Sequence, residues 1–133
     1  MKKINVITID GPSASGKGAL ARRISNSFGF NILDSGVLYR LYAYLSNINF
    51  SVDEIANQIE RNVEFKNTKQ KLSISFKDRD ITTELRSEKV AKLASEHSSK
   101  KEVRGALLNI QRSFYDGGGL VADGRDMGTV VFK

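Results

Sequence analysis

The chain has no cysteine and a single histidine, His97. Without cysteine there is no disulfide and no thiolate metal centre. One histidine does not furnish a histidine-rich zinc site. Any metal is therefore a hard cation held by oxygens, with Mg²⁺ the expected one. No apolar run approaches the roughly 20 residues of a membrane-spanning helix. The start, Met1-Lys2-Lys3 and a short β-like run, is too short for a secretory signal and lacks a small-residue cleavage site. There is no internal repeat and no low-complexity tract. A cytoplasmic protein without a membrane partner is expected.

The 133 residues, 40% hydrophobic and 27% charged, suffice for one globular domain with a sizeable core. The net charge of +6 suits an anionic ligand, nucleotide or nucleic acid alike. The charge is dispersed, however, and Lys66, Lys69, Lys71, Lys77 and Arg79 read mostly as a solvated face. A nucleic-acid-binding module would cluster its basic residues and interleave stacking aromatics. Neither pattern is present, so no nucleic-acid partner is expected.

The most informative stretch spans residues 4–20, INVITIDGPSASGKGAL. A β-rich apolar run leads into Gly11-Pro12-Ser13-Ala14-Ser15-Gly16-Lys17, and residues 18–28 carry a helical pattern. The motif matches the phosphate-binding loop G-x-x-x-x-G-K in its required strand–turn–helix context. Gly11 and Gly16 permit a loop whose N–H groups converge on an anion, next to the positive end of a helix. Lys17 adds a full charge where a β- or γ-phosphate would sit. A glycine-rich turn that binds nothing has no need of that lysine. The pattern normally closes on Ser or Thr, whereas Gly18 and Ala19 follow here.

Within the first helix, Leu20, Ile24 and Phe28 are expected to face the sheet, with Ala21 and Ser25 as a small neighbouring stripe and Arg22 and Arg23 in solvent. Gly29 stops the helix. Residues 30–33 predict a second strand, followed by Asp34-Ser35-Gly36 and a helix from Val37 with Leu38, Leu41, Tyr42 and Leu45 on one face. Asp34 or Ser35 is either a helix cap or part of a ligand site at the carboxyl end of a strand. Arg40 is either a surface charge or a phosphate clamp.

Residues 51–59 predict a helix with Val52, Ile55, Ala56 and Ile59 on one face. Short strands are expected at 63–65, 72–76 and 80–82, forming an antiparallel β-appendage. Helices follow at 84–98, with Val90, Leu93, Ala94 and His97, and at 100–115, with Val103, Leu107, Ile110 and Phe114. His97 lacks a sequence partner and reads as half-buried or exposed rather than as a catalytic base. Arg104 lies beside the apolar face of its helix, within reach of a ligand at the helix edge. Leu120-Val121-Ala122 predicts a buried strand ending at Asp123, a pattern in which phosphate-loop proteins use a carboxylate to organise Mg²⁺. Residues 128–132 begin another β-like stretch.

Taken in order, IDGPSASGKG, LDSGVLYR and ADGRDMGTVVF resemble the bacterial cytidylate (CMP) kinases, and DGRDMGT is the most diagnostic of the three. The resemblance covers essentially the whole chain. It implies an α/β phosphate-loop fold of the nucleoside monophosphate kinase type, three-layered, with a parallel central sheet and a small antiparallel insert. Residues 1–133 then form one kinase domain. Segments 1–34 and 116–133 supply the core sheet and phosphate loop, and 35–115 the monophosphate-binding helices and insert. The implied reaction transfers the γ-phosphoryl of ATP, with Mg²⁺, to CMP or dCMP.

Carried over, the resemblance gives the ATP phosphates to Gly11, Pro12, Ser13, Ala14, Ser15, Gly16, Lys17, Gly18 and Ala19. It assigns CMP to Ser35, Arg40, Ser95, Arg104, Arg125 and Asp126. Ser35, Ser95, Arg104 and Asp126 lie towards the base, while Arg40 and Arg125 lie on phosphate. Lys17, Arg40 and Arg125 are the expected catalytic residues. No metal-ligating protein residue is carried over, and a complete member is expected to be a monomer. Two departures follow. Family members usually have Thr at the position of Ala19. They also continue beyond the position of Lys133 with another strand, an arginine-bearing lid and a final helix. The expectation is an N-terminal portion with weak nucleotide binding, impaired turnover and an exposed apolar sheet edge.

Overall fold

The computed structural model describes residues 6–10, 17–67, 72–115 and 118–124. Its elements run β1 (Val6–Asp10), α1 (Lys17–Phe28), β2 (Asn31–Asp34), α2 (Ser35–Asn47), α3 (Val52–Asn62), β3 (Val63–Asn67), β4 (Leu72–Phe76), β5 (Arg79–Asp80), α4 (Thr82–Leu85), α5 (Glu88–Ser98), α6 (Lys101–Ser113) and β6 (Leu120–Gly124). The fold is mixed α/β, with a three-stranded parallel sheet and a separate three-stranded antiparallel one. This is the architecture expected of a phosphate-loop nucleoside monophosphate kinase. The chain divides into two compact units, 1–36 with 111–133, and 37–110.

The first unit is built on the parallel sheet, in the order β1-β6-β2. Central β6 is buried along its whole length, which suits its apolar run, because a parallel strand is covered on both faces. In β1, at one edge of this order, Val6, Ile7, Thr8 and Ile9 are half-exposed. Helix α1 packs against β6 and β2, but not through the expected stripe. Leu20 is 50% and Phe28 63% exposed, and Ile24 is half-buried. The buried positions are Ala21 and Ser25. Small side chains let the helix lie close to the sheet, which turns the larger stripe aside. Phe28 instead pairs with Phe30, ring centroids 5.5 Å apart.

Helix α1 ends in a glycine-based cap. Gly29 adopts φ +68°. The Phe30 N–H donates to the Ser25 carbonyl at 3.0 Å, and Ser25 Oγ donates to the Phe30 carbonyl at 2.6 Å. Both bonds satisfy groups that a helix terminus leaves open. The strand then starts at Asn31, one residue later than expected. Gly119, just before β6, is held still more tightly. Its φ is +126°, and a Cβ there would lie 2.3 Å from the Phe30 ring. Its carbonyl accepts from the Asn31 N–H at 3.1 Å.

The second unit buries Leu38, Leu41, Tyr42 and Leu45 of α2, Ile55 and Ile59 of α3, and Leu72, Ile74, Ile81 and Leu85. Val52 is 38% exposed, because it is the first residue of α3 and precedes the covered turns. Helix α3 is capped by Ser51, whose Oγ accepts from the Glu54 N–H. It runs directly into β3, which pairs with β4 from Val63↔Phe76 to Asn67↔Leu72.

The third appendage strand is two residues long, not 80–82, and the single helix expected over 84–98 is two. Both differences have side-chain causes. Thr82 opens α4, yet its Oγ1 accepts from the Ile74 N–H at 2.8 Å, taking the place of a ladder carbonyl. Ser87 then caps α5, its Oγ accepting from the Val90 N–H at 3.2 Å, which breaks the helix after Leu85. The turn joining β4 to β5 places both Lys77 (φ 49°) and Asp78 (φ 67°) in the left-handed region, as a two-residue hairpin requires.

Candidate functional site

The three parallel strands end in register, Asp10 opposite Gly124 and Asp34 opposite Asp123. Three strand ends far apart in sequence, Asp10, Asp34 and Gly124, therefore share one edge of the sheet, and Ser35-Gly36 follows the second of them. Carboxyl edges of parallel sheets are where open α/β folds bind ligands. Gly11 to Gly16, Arg125 and Asp126 lie outside the described residues, as do 128–132. Lys17 and Gly18 open α1, and Ala19 is exposed in its first turn.

The helix ends at this edge differ in charge from the rest. The first turns of α1 and α2 hold no acidic residue. Those of α3, α4, α5 and α6 hold Asp53 and Glu54, Glu84, Glu88 and Glu102 respectively. Acidic residues there offset the positive helix terminus. In α1 no acidic side chain of the first turn offsets that charge, and a positive helix end favours an anion.

Ser35 is the first residue of α2. Its Oγ accepts a hydrogen bond from Gln111 Nε2 at 2.9 Å, and the two residues are only 4% and 3% exposed. Gln111 was not foreseen from the sequence. Its one signal is a polar residue four positions after Leu107, inside the stripe that Val103, Leu107 and Ile110 define. Asp123, 3% exposed, ends the apolar part of β6 at the sheet edge. Among the described residues no group of three or more His, Asp or Glu could hold a metal ion. Among the described residues Asp123 is the buried carboxylate.

In the second unit, Arg40 is half-buried on α2, while Ser95 on α5 and Arg104 on α6 are exposed. Among the described residues neither arginine is held by a carboxylate; the ion pair found there joins Arg79 and Glu84 at 3.2 Å. The Ser95 carbonyl accepts from Ser98 Oγ at 3.0 Å. His97 is half-buried, its ring edge-on to Tyr42 at 5.3 Å. Its Nδ1 is buried without a hydrogen-bond partner among the described residues. Burial holds the His97 pKa below its ordinary value; Lys100 adds to the depression and Glu96 opposes it. Burial, then Glu102, raises that of Tyr42. The two rings make a packing contact.

Among the described residues no helix is long and apolar enough to cross a membrane. The family model for cytidylate kinase matches residues 7–133. The chain is 40% identical to a cytidylate kinase of Acinetobacter baylyi, covering 97% of this chain and 60% of the relative. It is 45% identical to one of Saccharophagus degradans, covering 96% and 59%. A third, from Coxiella burnetii, is 43% identical, covering 98% and 58%. The chain thus spans about 60% of the length of the curated relatives it matches. Matched along nearly all of its own length, it belongs to the cytidylate kinase family.

Proposed function

We propose that this chain binds ATP and a cytidine monophosphate and takes part in transfer of the γ-phosphoryl group from ATP to CMP or dCMP, in the cytoplasm. The observation that carries this reading is the common ending of β1, β2 and β6. It supports one site drawing on Ser35, on Asp123 and on the residues that follow β1 and β6 in sequence. In this reading residues 11–19 cradle the ATP phosphates. Lys17 neutralises charge on the transferred group, and the positive end of α1 supports it. Asp123 would hold Mg²⁺, which when bound supplies charge neutralisation at the phosphates. Arg40 and Arg125 position the CMP phosphate in line, and Ser35, Ser95, Arg104 and Asp126 recognise cytosine. No protein nucleophile is required, because the CMP phosphate oxygen attacks and the protein supplies position and charge.

The test is equilibrium binding and phosphoryl transfer by residues 1–133 with CMP, UMP and AMP as acceptors. Binding of CMP in preference to UMP and AMP, weakened by Arg40→Ala and accompanied by ATP binding weakened by Lys17→Ala, is expected. Equal affinity for all three acceptors would sink the assignment. A second reading is nucleotide binding without turnover. A single-turnover assay separates the two: appearance of CDP supports transfer, and tight binding without CDP supports the second.

A further inference from the structure

We infer that Gln111 is a positioning residue for pyrimidine recognition, holding the Ser35 hydroxyl in a fixed orientation toward the base. This rests on the reading above that places Ser35 against cytosine. The two side chains lie 76 positions apart, at the first residue of α2 and in the last turn of α6, and meet at 2.9 Å. Both are almost fully buried. An amide set in an apolar helical stripe carries a desolvation penalty that an apolar residue of the same length would avoid. Its hydrogen bond offsets that penalty, and the bond goes to Ser35.

The chemistry gives this contact a consequence. A serine hydroxyl has one proton and two lone pairs, and it rotates to suit its neighbour. A freely turning hydroxyl can accept from the exocyclic amine of cytosine or donate to the corresponding oxygen of uracil. It therefore discriminates poorly. With one lone pair engaged by Gln111 Nε2, that direction is closed to the base, and the proton and second lone pair share the two directions that remain. Gln111 thus fixes where the oxygen sits and narrows the approach of a base to it, and a misplaced pyrimidine loses that bond.

The test is a double-mutant cycle on the full chain, reading dissociation constants for CMP, UMP and ATP. The variants are Gln111→Met, Ser35→Ala and the pair. Gln111→Met should weaken CMP about 5–10-fold, the scale of one ordinary hydrogen bond. UMP should weaken as well, and ATP not at all. In the Ser35→Ala background the effect of Gln111→Met on CMP should vanish, because the residue acts through Ser35. A CMP affinity changed less than about twofold, or full additivity with Ser35→Ala, would overturn the role and leave Gln111 as packing alone. Should Gln111→Met fail to fold, the wild-type chain still decides. The Gln111 side-chain amide resonances should move on saturation with CMP and stay in place with ATP. Resonances indifferent to CMP would overturn the proposal. A wild-type chain that binds CMP no better than UMP overturns the base assignment itself, a different failure seen before any variant is made.

Discussion

In the parallel-sheet unit small residues take tight positions beside the buried Leu33, Leu120 and Val121: Ala21 and Ser25 on α1, and Gly119 against the Phe30 ring. In the second unit the buried positions are mostly branched apolar residues, Leu38, Leu41, Leu45, Ile55, Ile59 and Ile74 among them. One region adds close backbone approach to its apolar core, and the other rests on side-chain volume. The first should therefore fail when atoms are added, and the second when atoms are removed. The difference follows from the work proposed for each. A sheet whose strand ends must share one edge tolerates little displacement, whereas a helical layer around a β-hairpin needs only to fill its core.

The largest effect should come from adding a single carbon to the first unit. Gly119→Ala places a Cβ 2.3 Å from the Phe30 ring at φ +126°. Backbone strain and overpacking together should cost about 3–5 kcal/mol, measured by urea denaturation. Adding Phe30→Leu should return part of that loss by relieving the overlap. A Gly119→Ala chain of unchanged stability would break the comparison on this side. Next comes removal from the second unit. Leu41→Ala, at a fully buried position, should cost about 2–5 kcal/mol through lost burial and the cavity left behind. A loss below about 1 kcal/mol would mean that the helical layer collapses into the space and is not volume-limited.

The third effect is smaller and concerns polar satisfaction. Thr82→Val keeps the shape but removes the oxygen that accepts from the Ile74 N–H at 2.8 Å. The orphaned donor should cost about 1–3 kcal/mol, with faster hydrogen exchange at the Ile74 amide. Thr82→Ser should retain most of the stability. If Thr82→Val is neutral, the side-chain closure of the β4–β5 ladder does not hold the hairpin.

The contrast between units also explains what could be read from the chain alone. In the second unit periodicity identified Leu38, Leu41, Tyr42 and Leu45, and Ile55 and Ile59, because side-chain size decides what is buried there. In α1 the same rule picked Leu20 and Phe28, which are exposed. Close packing selected Ala21 and Ser25, and periodicity carries no information about helix–sheet distance. The break between α4 and α5 was missed because Thr82 and Ser87 act through hydroxyl–backbone bonds rather than apolar pattern. At the candidate site, the buried strand reaching Asp123 was legible as a local string. Gln111 was not, since its meaning depends on a partner 76 positions away.

The smallest effect tests the second unit through its pH dependence. His97 is the chain's one histidine, so a proton NMR titration reports it without ambiguity. Its ring packs edge-on to Tyr42 from α2, with Glu96, Lys100 and Glu102 as the charged groups acting on the pair. Burial holds the His97 pKa below 6.5. Below 6.5 the unfolded chain takes up the proton more readily than the folded one. The stability linked to neutral His97 is therefore fully present above 6.5 and is lost as pH falls through the lowered folded value. Tyr42 acts in the opposite sense. Its pKa is raised above 10.0, so its contribution is complete below that value and is lost as pH rises through the folded one. His97→Phe keeps a ring against Tyr42 and removes the acid-side titration. It should flatten the pH dependence of stability between about 5 and 7 while leaving the alkaline side unchanged. A His97 titration at or above 6.5, or an acid slope that survives His97→Phe, would remove this pair from the account of how the second unit is held.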